Sequence, residues 1–417
     1  MRYKKLYPAV ICFCVFLAAI GLVLGDPSTV LPGLWKIIVT EDALITDYVK
    51  IAGVSAALVN SALVTLVSLL LLYLSKEPPN GFTLVELGLM AGFSLFGKNI
   101  VNIWPIIAGT FLYAKARREP FGKYVSVSLL ATALAPVVSY VALDNGFGNL
   151  WWGIAVGLLI GFVLPPLATH VHYAHKGYSL YNVGFASGII ATVVVSVMKS
   201  FGVTTESRLI WSTGNNRLFL FVLCGLFLSM MGGALVLGGK EVFAAYGRIL
   251  KTTGISGTDY LKSEGGPATT FNMGLCGLFA TLFVAAVGGD LNGPTIGGIF
   301  TIVGFCSTGK HLRNIAPIMF GVVLGGFTKH WHVNQPSPLL ALLFSTTLAP
   351  VAGEFGWIVG ILAGFLHSSV ALNVGIVYGG MNLYNNGFAG GIVAIFMVPV
   401  IHSIRDRRAR AKGEISL

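Results

Sequence analysis

The chain has 417 residues, of which 55% are hydrophobic types and only 10% are charged, with a mean hydropathy of +0.81. An ordinary soluble domain carries roughly 25% charged residues, so a soluble enzyme, a disordered chain and a nucleic-acid binder are excluded, and lipid is left as the solvent. The net charge of +11 is then a topology signal, to be read by position.

Arg2, Lys4 and Lys5 precede an apolar run from Leu6 to Leu24, the outline of a signal peptide. Cleavage is not expected, because a similar stretch recurs in mid-chain from Leu218 to Leu237. The two runs also end alike, in Leu22-Val23-Leu24-Gly25 and Leu235-Val236-Leu237-Gly238. The first half reads as five spans, 7–25, 51–74, 121–143, 150–170 and 180–199, each long enough for a hydrocarbon core of roughly 30 Å. Between the second and third lie two shorter apolar pieces, 82–96 and 99–114. They meet at Gly97-Lys98-Asn99 and predict a broken, hairpin-like element. The cysteines (Cys12, Cys14, Cys224, Cys276, Cys306) are odd in number, lie in apolar stretches and have no metal-ligand spacing, so no disulfide framework is expected.

From Thr258 onward the chain repeats itself. Thr46-Asp47-Tyr48-Val49-Lys50 reads against Thr258-Asp259-Tyr260-Leu261-Lys262, Asn80-Gly81 against Asn292-Gly293, and Gly97-Lys98 against Gly309-Lys310. Between Thr46 and Gly109, 22 of 64 positions are identical at a constant shift of 212, where composition alone gives roughly 5. Further on, Thr132 and Leu134-Ala135-Pro136-Val137 match Thr346 and Leu348-Ala349-Pro350-Val351. Leu180-Tyr181-Asn182-Val183-Gly184-Phe185-Ala186 matches Leu383 to Ala389 at a shift of 203, because the first copy has a longer loop around Asp144 to Trp151. The copies divide the chain into repeats 1–204 and 205–417. Five spans plus a hairpin is an odd count, so the second repeat is expected to be inverted. With the N-terminus inside, eighteen Lys and Arg fall in inside loops and six in outside loops. The other three, Lys98, Lys310 and Arg313, lie in the hairpins. The expected fold is an all-α polytopic membrane protein of two inverted repeats, with both termini cytoplasmic.

The recurring break, Gly-Lys-x3-Asn-Ile-x-Pro-Ile-x2-Gly, is the strongest candidate site. An ammonium at mid-membrane costs about 2.5–3.5 kcal/mol on insertion scales, and here it occurs twice, at Lys98 and Lys310. A helix restarting after such a break points free N–H groups and its positive end into the gap. Facing breaks would therefore suit an anion or a strongly dipolar solute. The plainer alternative is that both lysines snorkel to an interface from a loop between full spans. Asn102 and Asn314, one turn past the break, would face the same volume, while Asn99 and His311 differ between copies and would tune asymmetry. Asn60 and Asn272 in the second spans either line a cavity or bond a neighbouring helix. Asn182 and Asn385 either cap the last span of each repeat or line a pore. Glu86, the only acid in the first hairpin, faces Gly298 in the alignment; it either balances Lys98, carries a proton or sits at an interface. His170, His172 and His175 do not share one helix face, and a solvated loop is favoured over a metal site.

On the Gly97-Lys98 and Leu180-Tyr181-Asn182 motifs, each present twice, the sequence resembles a family of bacterial two-repeat integral membrane proteins classed only as a domain of unknown function. That resemblance covers nearly the whole chain and implies the bacterial inner membrane, without an activity or binding residues. The layout is also similar to urea transporters, which have two inverted halves of five spans and short pore-facing helices with Asn and Gly; the likeness is one of layout, not of motif. The reading is a transporter or channel for a small polar, preferably anionic, solute. It needs no cofactor, metal or nucleic acid, its partners are the lipid bilayer and the solute, and it leaves a homo-oligomer open. A urea-channel-like facilitator of a neutral solute and a membrane-embedded enzyme are the rivals. No nucleophile or metal cluster favours the enzyme.

Overall fold

The structure, a computed structural model, describes residues 6–143, 148–203, 205 and 207–411, with side chains to residue 407. Arg2, Lys4, Lys5 and Lys412, the side chains of Arg408 and Arg410, and part of the loop around Asp144 lie outside the described residues. The first half consists of α1 (Leu6–Leu24), α2 (Val30–Ile38), α3 (Tyr48–Leu74), α4 (Gly81–Phe93), α5 (Trp104–Ala116), α6 (Gly122–Ala131), α7 (Ala135–Leu143), α8 (Leu150–His175) and α9 (Asn182–Ser200). The second half repeats this order: α10 (Asn216–Gly238), α11 (Glu241–Ile249), α12 (Tyr260–Ser263), α13 (Gly266–Ala286), α14 (Gly293–Phe305), α15 (Leu312–Thr328), α16 (Pro336–Phe344), α17 (Ala349–Phe355), α18 (Trp357–Val374) and α19 (Asn385–Ala411). Among the described residues the chain is all-α, and ten helical stretches are long and apolar enough to cross a membrane. α6 and α7 join through a 3-10 turn into one such stretch, as do α16 and α17.

The repeated sequence motifs are largely helix starts. Asp47 accepts the Val49 N–H and caps α3, and Asp259 accepts the Lys262 N–H and caps α12. Asn80 and Asn292 form capping boxes with Thr83 and Thr295 at the starts of α4 and α14. Gly53 and Gly265 both hold φ of 83°, a left-handed value that suits glycine, and bend the chain just after those acidic caps.

Two 13-residue helices of about 20 Å each build the hairpin of the first half. Its tip meets the start of α3, where the Tyr48 N–H donates to Leu95 O. Its far end returns to the other end of α3, where Gly122 lies against Ser75 O. The chain therefore reverses between α4 and α5. In the second half the Tyr260 N–H donates to Ser307 O in the same way. The two hairpins meet at the centre of the molecule. Gly81 lies at Ser307, Gly88 at Gly304, Gly92 at Gly297 and Leu95 at Gly293, so α4 and α14 pack antiparallel. A Cβ on Gly92 would come within 2.7 Å of Gly297 O, so the close approach requires glycine. Gly184 and Gly387, at the starts of α9 and α19, touch in the same manner, with Phe185 stacked on Phe388. α1 and α10 lie outermost, and Phe221 and Val236 of α10 are more than four-fifths exposed, as lipid-facing side chains would be.

Four features depart from the reading of the sequence. His170, His172 and His175, expected in a solvated loop, lie in α8, and His175 is buried against Asn182. α2 and α11 are short amphipathic helices between the first two spans of each half, where no element is expected. The second span begins at Tyr48, before its glycine bend. After the first break the helix restarts only at Trp104, whereas α15 restarts at Leu312, the counterpart of Ile100. The side chain of Asn99 accepts the N–H groups of Val101 and Asn102, and this local bonding competes with the first helical turn.

Candidate functional site

Lys98 and Lys310 are both fully buried, so neither snorkels to a rim. Lys310 Nζ bonds Tyr181 Oη at 2.5 Å and Thr346 Oγ1 at 2.7 Å, and lies 4.5 Å from the centre of the Tyr181 ring and 5.0 Å from that of Phe305. Lys98 Nζ is 3.4 Å from Met90 Sδ and 5.3 Å from the Phe93 ring. Among the described residues no carboxylate lies within ion-pair distance of either. An ammonium at Lys310 is held by ring quadrupoles and hydroxyls, and one at Lys98 by a ring and a thioether, instead of by a contacting counter-charge.

The rings beside the two lysines form one chain across the contact between the halves. Phe305 is 4.9 Å from Tyr181, Tyr181 is 5.9 Å from Tyr384, and Tyr384 is 4.7 Å from Phe93, with Phe344 against both Phe93 and Tyr181. Each lysine thus lies on the phenylalanine of its own hairpin, and each phenylalanine lies against the tyrosine that precedes the last span of the other half. Phe93, Phe305, Tyr181 and Tyr384 are absent from the candidate site residues, although Tyr181 and Tyr384 stand in the recurring Leu-Tyr-Asn motif and Phe93 and Phe305 are identical at the shift of 212; that recurrence is the available signal.

The asparagines hold the backbone of this centre. Asn60 Nδ2 donates to Ser94 O and Lys98 O, and Asn272 Nδ2 donates to Cys306 O and Lys310 O. Asn102 Oδ1 accepts the Asn99 N–H while its Nδ2 donates to Gly97 O; Asn314 does the same with His311 N and Gly309 O. His311 Nε2 lies 3.1 Å from Thr252 O. Asn182 and Asn385 tie the last span of each half to the preceding one through Ala168 O and Ala371 O. Asn182 Oδ1 also meets His175 Nε2 at 2.9 Å, and Asn385 Oδ1 accepts from Tyr378 Oη. Among the described residues no three His, Cys, Asp or Glu gather as metal ligands.

The two ends of the centre differ. Near Lys310, a cavity of about 360 Å³ is lined by Asn80, Leu180, Ser256, Asp259, Phe305 and Gly309, and Phe305 borders both it and the Lys310 amine. At the Lys98 end, Asp42 accepts from Tyr48 Oη, Ser139 Oγ and Asn102 Nδ2. The segment joining the halves lies over this end. Its Ile210 pairs with Thr46, Arg208 forms an ion pair with Glu41, and Ser212 bonds Asp47 Oδ2 through its N–H and Asn292 Nδ2 through its carbonyl. The sequence reading passed over Asp42 because its counterpart is Gly254 and the repeat gives it no emphasis.

No curated protein and no solved structure matches the chain. One family model matches it over residues 26–200 and 239–403, a region in each half. This polytopic helical chain, with its two buried lysines, belongs to the family described as Protein of unknown function (DUF1576).

Proposed function

We propose that the chain is a transporter for a small anion, which it binds between its two halves at the Lys98–Lys310 centre. In this reading it sits in the bacterial inner membrane with both termini cytoplasmic, its repeats oppositely inserted and its hairpins re-entrant. The antiparallel contact of α4 with α14 supports opposite insertion, because equivalent helices of parallel repeats related by an axis along the membrane normal would run in the same sense. The observation that carries the proposal is the burial of two lysine side chains at the contact between the halves with no carboxylate among the described residues within ion-pair distance of either. A charge removed from water with no counter-charge in contact with it costs several kcal/mol; a mobile anion that makes that contact offsets the cost and leaves again, as a permanent ion pair would not. The cavity beside Phe305 offers an approach from one face, while the segment over Asp47 covers the other, which suits alternating access better than an open channel.

The test is flux through liposomes containing the purified chain, with chloride, nitrate, lactate and phosphate against urea and acetamide. Anion flux is expected. Losing one charge-assisted contact, worth about 1.5–3 kcal/mol, weakens anion affinity roughly ten- to a hundredfold in Lys310→Gln and in Lys98→Gln. Flux of the amides alone favours a urea-channel-like facilitator. A hydrolytic activity without flux favours an enzyme. Unchanged anion flux in both variants places the site elsewhere.

A further inference from the structure

Glu86 is the buried acid that the lysine centre leaves unexplained. It is 1% exposed, and its Oε2 has no hydrogen-bond partner. It stands one helical turn before Met90 on α4, so the two side chains share a face, and Met90 Sδ is the atom against Lys98 Nζ. Met90 is thus a neighbour of both groups, of Glu86 along one helix face and of Lys98 through its Sδ. The other half does not repeat the arrangement. Gly298 stands at the equivalent position with Leu343 packed over it, and Ile302 stands opposite Met90.

The neighbours of Glu86 supply little charge. Ser126 of α6 and Tyr384 ahead of α19 face it. α14 contains no ionisable residue, and α3 presents Asn60 and Ser61 to the backbone of the hairpin. Asp259 binds Gly81 N at the start of α4, more than one turn away. Lys50 of α3 and Lys123 of α6 are exposed, and Lys123 pairs with Glu119, so Lys98 is the buried cation of this neighbourhood among the described residues.

Resting on the reading of the lysine centre as an anion site, we propose that Glu86 makes transport proton-coupled, one proton entering with each monovalent anion. In the empty centre the carboxylate and the ammonium compensate each other across Met90. An anion arriving at Lys98 Nζ takes that compensation, and the carboxylate becomes an isolated buried charge. It then accepts a proton from water, forming the O–H bond of a carboxylic acid. When the anion departs on the other side, the proton leaves the carboxyl for water there. Charge is balanced at each stage, with no redox partner and no covalent intermediate. Ser126 is the hydroxyl placed to bond the carboxyl in either form.

The experiment uses the full chain in liposomes holding a pH-sensitive dye, with an inward gradient of nitrate or lactate and both lumen pH and anion entry recorded. Proton uptake should accompany anion entry in the wild type and fall at least tenfold per anion in Glu86→Gln. Anion entry without proton uptake in the wild type, or undiminished uptake in Glu86→Gln, overturns the proposal and leaves the anion site standing. Absence of anion entry in the wild type removes the anion site itself. An infrared measurement on the anion-free protein decides if Glu86→Gln is inactive. Lys98→Gln should gain a protonated-carboxyl carbonyl band that the wild type lacks at neutral pH and that the Glu86→Gln, Lys98→Gln double variant loses. A band already present in the wild type, or none in Lys98→Gln, overturns the proposal.

Discussion

A side-chain amide that donates to two carbonyls of a chain reversal does the work of a missing helical turn. Asn272 satisfies Cys306 O and Lys310 O at 2.7 and 2.8 Å, and both carbonyls sit where helix α14 has ended. Asn272→Ala should therefore destabilise the chain by about 1–3 kcal/mol, the cost of buried acceptors left without donors, read as a lower unfolding midpoint in detergent. Asn272→Asp should not restore it, since a carboxylate has no donor to offer. The sequence shows that Asn60 and Asn272 recur but not which groups they bond, because a lone polar residue in an apolar run looks the same whether it faces a cavity or a carbonyl. Lys98 and Lys310 stood out for a different reason: an ammonium in an apolar segment is costly wherever it points, so its recurrence marks a candidate, and the structure buries both.

Among the elements, the hairpins depend on close backbone approach. At the crossing of α4 and α14 a Cβ on Gly88 would lie 2.9 Å from Phe300 O, and one on Gly92 would lie 2.7 Å from Gly297 O. Gly92→Val should force the helices apart at a cost of about 1–3 kcal/mol, seen as lower yield of folded protein and reduced flux together. Gly225, in the outer helix α10, has open space around it, and Gly225→Ala should leave both unchanged. The long spans were readable from apolar length, the property a bilayer selects. α2 and α11 were not, because a nine-residue helix with one apolar face is too short to stand out beside twenty-residue runs. The delayed restart at Trp104 was hidden as well, since it depends on Asn99 bonding its own neighbours.

For the molecule as a whole, opposite insertion of the repeats has a direct readout. Arg118 and His330 are equivalent positions at the ends of α5 and α15, and both are exposed. In a background with Cys12 and Cys224 replaced by alanine, Arg118→Cys should react with a membrane-impermeant maleimide only from the cytoplasmic side, and His330→Cys only from the outside. Labelling of both from one side would make the repeats parallel and end the proposed symmetry. The charge count of the loops already pointed to this arrangement. It could not show that the segment between the repeats lies over one end of the centre, because pairing of Thr46 with Ile210 leaves no periodic trace in either stretch.

The antiparallel glycine crossing also says something about origins. Both sides of that contact are built from the same positions of the two copies, so the surface of a single half is self-complementary when one copy is turned end over end. An unfused ancestor that entered the bilayer in both orientations would assemble the same core as a homodimer. In a fused chain the two partners are free to differ, and Glu86, with Gly298 as its counterpart, is one such difference.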